Sequence, residues 1–461
     1  MKSILIIVIL SLLTGCTTYK ENFSHISVRE LSYIKNVPIK DEQDDTAIEE
    51  SQTPKRDDDN MNQSNSKNDN PKKDSQTENS SSQSPSRKEE SSIAEDDSTK
   101  IIMTREEIVR YNETIMAKTS SMYDIQNTDI YSKNQILEYV NSYRLPVGIK
   151  YDGPNTISEE TIQRILENRN LDMIADKPTA QRGIIVRRSN LKSFPTAVHF
   201  YNYPNASNFD QIQETELTIN TPVRILHTSK DNDWYFIISP IYYGWVQRDD
   251  VALARESDWK YFIDNQSFVT ITVPSVRLEG QLLDMGTTLP LIKSMGDNLQ
   301  IALPTKDETG YIVKKNTTIA SDEASIGFLP YTKANVIAQA QKYRGIKYSW
   351  GGMNSGVDCS SFIMDVFKTF GFRFPRNTSN QKDSIGTVII LTGKTNQQKL
   401  NAMSNTAPSI LYQPGHTMIY LGRIGGRHSI IHASGSDLQV VITTLENSSY
   451  LPKIDRIVTI P

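Results

Sequence analysis

No aromatic residue occurs between Tyr33 and Tyr111, and from Asn36 to about Lys100 the chain is mostly Ser, Asn, Asp, Glu, Lys and Gln. Such a segment buries too little apolar surface to offset the entropy lost on ordering, so it is expected to stay unfolded. As a flexible coil, about 65 residues would have an r.m.s. reach of roughly 45 Å, enough for a tether. Folding is thereby left to the residues that follow, where the length allows roughly two to four domains of ordinary size. The net charge of −4 gives no basic footprint, which argues against nucleic acid as a partner.

Only two cysteines are present, Cys16 and Cys359, so no disulfide framework is available and the folded part must be held by its cores. The first belongs to a short leader: Lys2, the apolar run Ile4 to Leu13, then Leu13-Thr14-Gly15-Cys16. That run is too short to span a membrane permanently. Small residues before a cysteine resemble a lipobox, in which Cys16 would be lipidated and become the mature N-terminus. Thr17 and Thr18 do not resemble an inner-membrane retention signal. A lipid-anchored protein of the cell envelope is expected, on the outer membrane facing the periplasm of a double-membraned cell or otherwise on the extracytoplasmic face of the cell membrane.

Residues 101–178 read as helical around Thr104 to Lys118, Asn134 to Tyr143 and Ser158 to Asn168, with Ser158 ahead of Glu159, Glu160 and Ile162 a natural start. From Gln181 to Ala254 the pattern changes to short alternating strands: Gly183 to Arg187, Pro222 to Leu226, Trp234 to Ile238 and Gly244 to Val246. A small barrel is expected, with Trp234, Trp245 and Tyr243 read as packing more than as ligand contacts. A weaker set follows at Phe268 to Val273, Thr288 to Ile292 and Leu299 to Leu303, with Gly310-Tyr311-Ile312-Val313 standing where a Gly-Trp-Val strand would be. Tyr331 to Tyr343 should be a helix, with Ala338, Ala340 and Tyr343 toward the core.

The chemistry gathers at Cys359. Gly351, Gly352 and Gly356 lead into Asp358-Cys359-Ser360, after which Phe362, Val366, Phe367 and Phe370 recur at helical spacing up to Gly371. Cys359 should therefore open a helix, where the dipole would lower the thiol's pKa and unpaired N–H groups would be ready for an oxyanion. Downstream, Pro414-Gly415-His416 begins one strand-like run and Ile430-Ile431-His432-Ala433-Ser434 forms another. A cysteine nucleophile needs a base and a third group to orient it, and both can lie far away in sequence. His428 has the same strand parity as His432, so alternation alone does not separate them.

Tyr348-x-Trp350-Gly-Gly, Asp358-Cys359-Ser360, Phe374-Pro375-Arg376-x4-Gln381, Gly415-His416-x3-Tyr420-Leu421-Gly422 and Ile431-His432-Ala433-Ser434 together resemble the NlpC/p60-type papain-like peptidases that cut bacterial cell-wall peptides. The likeness covers about residues 331–461, and Thr221-Pro-Val, Trp234-Tyr and Gly244-Trp245-Val246 resemble a bacterial SH3 (SH3b) module. The resemblance implies an α+β multidomain protein. Its plan is a leader to Cys16 (1–16), a polar linker (17–105), a helical clip-like region (106–178), one SH3b module (179–256), a degenerate second one (257–329) and the papain-like domain of helices and antiparallel sheet (330–461).

It also implies roles. Cys359 would be nucleophile, His416 base and then acid, and His432 the orienter, favoured over His428 by the Ile-His-Ala-Ser match alone. Tyr348 would point its hydroxyl toward the oxyanion, while Asp358, Ser360 and Arg376 would line the pocket for D-glutamate and its neighbours. An acid and a tyrosine of the SH3b module would capture the peptide's free amine, with Glu214, Glu216, Tyr242 and Tyr243 as candidates. Ser361 departs from the family's usual glycine. Peptidoglycan stem peptides or muropeptides are the implied partners, with a monomer, no cofactor and no metal expected. The implied activity is hydrolysis of the γ-D-glutamyl to L-diamino acid bond. The competing readings are an amidase or acyltransferase using the same residues, and a catalytically silent wall-binding lipoprotein.

Overall fold

The computed structural model describes residues 97–128 and 130–461. Cys16, the leader and nearly all of the 17–105 linker therefore lie outside the described residues.

Capped helices open the described chain. α1 (Arg105–Lys118) begins at Thr104, whose hydroxyl accepts from the Glu107 N–H while the Glu107 carboxylate accepts from the Thr104 N–H. Two orphan donors are thus satisfied reciprocally. Ser132 and Gln135 repeat the device at α2 (Lys133–Ser142), and Ser158 caps α3 (Glu159–Asn168). The helices serve different bodies. Asn112 of α1 donates to the Gly371 carbonyl and accepts from the Arg373 N–H, both at 2.9 Å, which straps α1 to the C-terminal part of the chain. α2 instead sends Ile136 and Val140 into the core of the first barrel.

That barrel is a seven-stranded sheet of β1 (Gln181–Ile185), β2 (Ser189–Lys192), β3 (Gln213–Leu217), β4 (Pro222–Thr228), β5 (Trp234–Ile238), β6 (Tyr243–Gln247) and β7 (Val251–Leu253). Its strands run β3-β2-β6-β5-β4-β1-β7, with antiparallel neighbours throughout. Trp234, Phe236, Tyr243 and Trp245 fill one core and Leu191, Val223, Ile237 and Val246 another, as expected of strands buried on both faces.

After α4 (Glu256–Ile263) comes a second β-module. It contains β8 (Phe268–Ile271), the ribbon β9 (Ser275–Leu278) and β10 (Gln281–Asp284), then β11 (Thr288–Met295), β12 (Asn298–Lys306), β13 (Ile312–Ala320) and β14 (Ala324–Ile326). The five-stranded order is β13-β12-β11-β8-β14. The Gly310 to Val313 stretch does not close a barrel as a short strand; it runs into the nine-residue β13, which pairs along its whole length with β12.

The last part places helices over a six-stranded antiparallel sheet. α5 (Lys333–Lys342), capped by Thr332, buries Val336, Gln339 and Ala340. Ala338, expected in the core, is exposed, because at about 100° per residue it lies on the far side of the helix from Val336 and Ala340. α6 (Cys359–Lys368) is buried from Cys359 through Phe367, which marks it as the central helix. α7 (Thr378–Ser384) follows, and the stretch from Gly386 to Gln413, which the sequence left unassigned, forms β15 (Thr387–Ile390), α8 (Asn396–Met403) and β16 (Ser409–Gln413). β17 (His416–Ile424), β18 (Arg427–Ser434), β19 (Gln439–Thr444), the short α9 (Tyr450–Lys453) and β20 (Arg456–Thr459) complete the order β15-β20-β16-β17-β18-β19. Gly425 and Gly426 make the two-residue β17–β18 turn with φ of 59° and 80°, so both central positions are left-handed and suit glycine.

Candidate active site

The start of α6 is built as a cap before it is anything else. Asp358 Oδ1 accepts from the Ser361 N–H at 2.9 Å, and Ser361 Oγ accepts from the Asp358 N–H at 2.9 Å. Serine at 361, where the family usually has glycine, thus completes a capping box. The backbone approach is equally constrained. Gly351 and Gly352 have φ of 57° and 72°, and a Cβ on Gly352 would lie 1.6 Å from Glu216 Oε2, so the loop fits the first barrel only as glycine.

Arg376 is turned inward. Its Nη2 and Nη1 donate to the two oxygens of Asp358 at 2.6 and 3.0 Å, Nη1 also donates to Ser360 Oγ at 2.8 Å, and Nε donates to Thr215 Oγ1 of β3 at 2.6 Å. The residue is 3% exposed. Arg376, Asp358 and Ser360, expected to line the pocket, are bonded to one another, and Arg376 also lines a cavity with Thr215, Glu216 and Ser361. The reason is that a buried guanidinium needs a charge partner, and the helix cap supplies it.

The thiol sits beside the first residues of β17. Cys359 Sγ is 3.8 Å from Thr378 Oγ1 at the start of α7, and the backbone amide of Thr417 helps to lower the thiol's pKa. His416 immediately precedes that residue. Its Nε2 lies 2.9 Å from His432 Nδ1, so Nδ1 is the ring nitrogen not engaged with His432. His432 is fully buried, and its Nε2 lies 3.2 Å from Thr443 Oγ1. Tyr450 of α9 covers the pair, its ring stacked on His416 at 5.7 Å and edge-on to His432 at 4.7 Å. His428 goes elsewhere: its Nδ1 meets the Tyr420 hydroxyl at 2.7 Å. The tertiary structure therefore brings His432, not His428, to His416, a choice that strand parity left open.

Electrostatics overturn one expectation. Burial pushes the Cys359 thiol up to about 11, with the Asp358 carboxylate adding to it, against the pull of the Thr378 hydroxyl, the Thr417 N–H and Arg376. The helix start does not win, because its favourable effect is only about 0.3–1 kcal/mol in the usual case, whereas taking a thiolate out of water shifts a pKa by units. Burial likewise pushes His416 down to about 3, with His432 adding to the fall and Asp358 opposing it, and His432 down to about 4. Thiol and imidazole are both neutral near neutral pH.

On the barrel side, Tyr242 donates to Glu214 Oε2 at 2.8 Å. Glu214 of β3 and Tyr242, just before β6, thus form one polar pair. Tyr243 does not join them: its hydroxyl meets Ser142 at 2.9 Å and its ring packs among Tyr123, Tyr139 and Tyr143. Glu216 is buried behind Gly352, 3.9 Å from both Arg188 and Arg376, with its pKa raised by burial. Tyr348 is 7% exposed and tilts against Phe209 at 5.9 Å. Thr378, Thr443 and Tyr450 were missed in the sequence. The first lies inside the Arg376-x4-Gln381 motif and was open to inference; the other two carry no local signal.

A buried helix-start thiol against an antiparallel sheet, with a histidine pair on adjacent strands and a small barrel at its edge, defines a papain-like architecture. Residues 345–459 match the NlpC/P60 family and residues 199–247 match the SH3 domain of SH3b1 type, so the chain carries an NlpC/P60 domain preceded by an SH3b domain. It is 22% identical over 257 residues to the γ-D-glutamyl-L-lysine dipeptidyl-peptidase of Bacillus subtilis (strain 168), covering 52% of this chain and 79% of that protein. A protein of the same name from Bacillus cereus is 22% identical over 259 residues, covering 52% and 72%. Among solved structures, an NlpC/P60 endopeptidase from Photobacterium damselae subsp. piscicida aligns with a TM-score of 0.62 at 22% identity, covering 79% of this chain and 92% of that one, which shows a shared fold. NlpC/P60 members are cysteine peptidases, and the family together with the relatives' names marks this chain as a peptidoglycan-related peptidase.

Proposed function

We propose that this protein is a cysteine endopeptidase that hydrolyses the γ-D-glutamyl to L-diamino acid bond of cell-wall stem peptides. The observation that carries the reading is the 2.9 Å contact between His416 and His432, with His416 one residue before Thr417, whose amide acts on the Cys359 sulfur. Cys359 attacks the γ-carbonyl carbon as its proton passes to His416 Nδ1. The developing oxyanion lies at the first turn of α6, where the N–H groups of Cys359 and Ser360 have no carbonyl partner within the helix. Collapse expels the diamino acid's amine, which takes the proton from His416 and leaves a thioester. His416 then takes a proton from water as the hydroxide attacks, and returns it to the sulfur as the thioester breaks.

The relatives' name, a dipeptidyl-peptidase, supports a substrate whose free amine lies two residues before the cut. The Glu214–Tyr242 pair is the site we assign to that amine, with Tyr242 in place of Tyr243. We extend the proposal to a monomer held at the cell envelope by lipid on Cys16. Incubation with L-Ala-γ-D-Glu-L-diaminopimelate or its L-Lys counterpart, followed by mass spectrometry, should show release of L-Ala-γ-D-Glu by the wild type and none by Cys359→Ala. Equal release by both would end the assignment.

A further inference from the structure

The contact between His416 and His432 admits two proton arrangements, and only one leaves a base. Nε2 of His416 and Nδ1 of His432 are 2.9 Å apart, so one of them carries the shared hydrogen. If His432 donates, neutral His416 accepts at Nε2 and bears its own hydrogen on Nδ1, the nitrogen needed for the thiol. In the reverse arrangement His416 donates through Nε2–H, Nδ1 is bare, and His432 must carry its hydrogen on Nε2. That hydrogen has an acceptor in Thr443 Oγ1, 3.2 Å away; the same hydroxyl would donate to a bare Nε2 in the first arrangement, so the distance fits both and the choice between them is the proposal. His432 is 0% exposed, so bulk water does not reach it to take the threonine's place.

We propose that Thr443 is a positioning residue: its hydroxyl oxygen accepts from His432 Nε2–H and thereby holds both imidazoles in the tautomers that leave His416 Nδ1 free. The inference rests on the reading of Cys359 and His416 as nucleophile and base. Register fixes the geometry. Val441 of β19 pairs with His432 of β18, which makes Thr443 its diagonal neighbour on the same face. The charged groups acting on the two rings do not compete for this role. Asp437 raises the pKa of His432 but its carboxylate accepts from Ser434, and Asp358 raises that of His416 while bonded to Arg376. Tyr450 meets both rings through its own ring.

The test compares Thr443→Val, which keeps the shape and removes the acceptor, with Thr443→Ser, which keeps the acceptor, in the full chain on the tripeptide substrate. For valine kcat should fall about 10- to 100-fold with KM within about twofold, while serine should stay within about threefold of wild type. Two-bond nitrogen–proton spectra of histidine-labelled protein should show His416 protonated on Nε2 in the wild type and a mixture of tautomers in Thr443→Val. Wild-type kcat in Thr443→Val, a serine variant as impaired as valine, or wild-type His416 protonated on Nδ1 would each overturn the proposal. The last measurement decides the matter even if the valine variant does not fold. Activity surviving in Cys359→Ala would instead remove the underlying reading.

Discussion

At the residue scale, the site is defined by groups kept neutral by burial. The thiol is pushed up to about 11 and His416 down to about 3, so without a substrate the proton stays on sulfur. Alkylation of Cys359 by iodoacetamide should accordingly be slow at about pH 7 and accelerate as the pH climbs toward the thiol's raised pKa. A fast reaction already flat from about pH 5 upward would mark a stored thiolate and contradict this account. The histidines carry a stability consequence of opposite direction. Their folded-state pKa values, about 3 and about 4, lie below the unfolded value, so the unfolded chain takes up protons first as the pH falls. Their contribution is complete above about pH 6.5 and is lost on the way down to about pH 3–4. Urea midpoints across that window should fall more steeply for wild type than for His432→Gln.

At the scale of elements, α6 depends on a charged cap and on a loop of glycines. Asp358 is both the N-cap acceptor and the counter-ion of Arg376, and its pKa is held below the usual carboxylate range by that guanidinium and by hydrogen bonds to Ser361, in spite of burial. The glycine loop is pressed from the other side by Glu216. Gly352→Ala should cost about 2–3 kcal/mol or more, since it adds left-handed strain to a clash with the carboxylate. Glu216→Ala should relieve the clash but not the strain, so a double-mutant cycle followed by urea unfolding should give a total clearly below the sum of the single changes. Simple additivity would mean that the loop yields in some other way.

At the scale of the whole molecule, one guanidinium joins three bodies. Arg188, in the turn between β1 and β2, donates through Nε to both oxygens of Asp284 on β10 at 3.1 and 3.0 Å. Its Nη1 and Nη2 donate to the Gly352 and Gly356 carbonyls at 2.9 and 3.3 Å. The second β-module thereby reaches the loop that precedes Cys359 through a residue of the first. Arg188→Leu leaves the carboxylate of Asp284 buried and unpaired, and should cost about 3–5 kcal/mol. Pairing it with Asp284→Leu should recover most of the stability in urea unfolding. kcat/KM should not recover with it, because the loop carbonyls still lack their donor. Full recovery of both would reduce the contact to mere packing.

What the chain determined by itself was local. Caps at Thr104, Ser132 and Ser158, the helical spacing after Cys359 and the alternation of the barrel strands each depend on neighbours a few residues away. The short-range chemistry of backbone hydrogen bonds is written at that range. Ala338 marks its edge, where a helix was legible but its buried face was not. The tertiary structure decided everything that turns on what lies across a gap: His432 rather than His428 against His416, Tyr242 rather than Tyr243 on Glu214, Arg376 paired with Asp358 of the helix cap, and Thr443 and Tyr450 brought to the histidines by sheet register and by α9. It also reversed the expected shift of the thiol. A helix start is a feature of sequence, but the loss of water around a sulfur is a property of the packed molecule, and at this site the second is the larger energy.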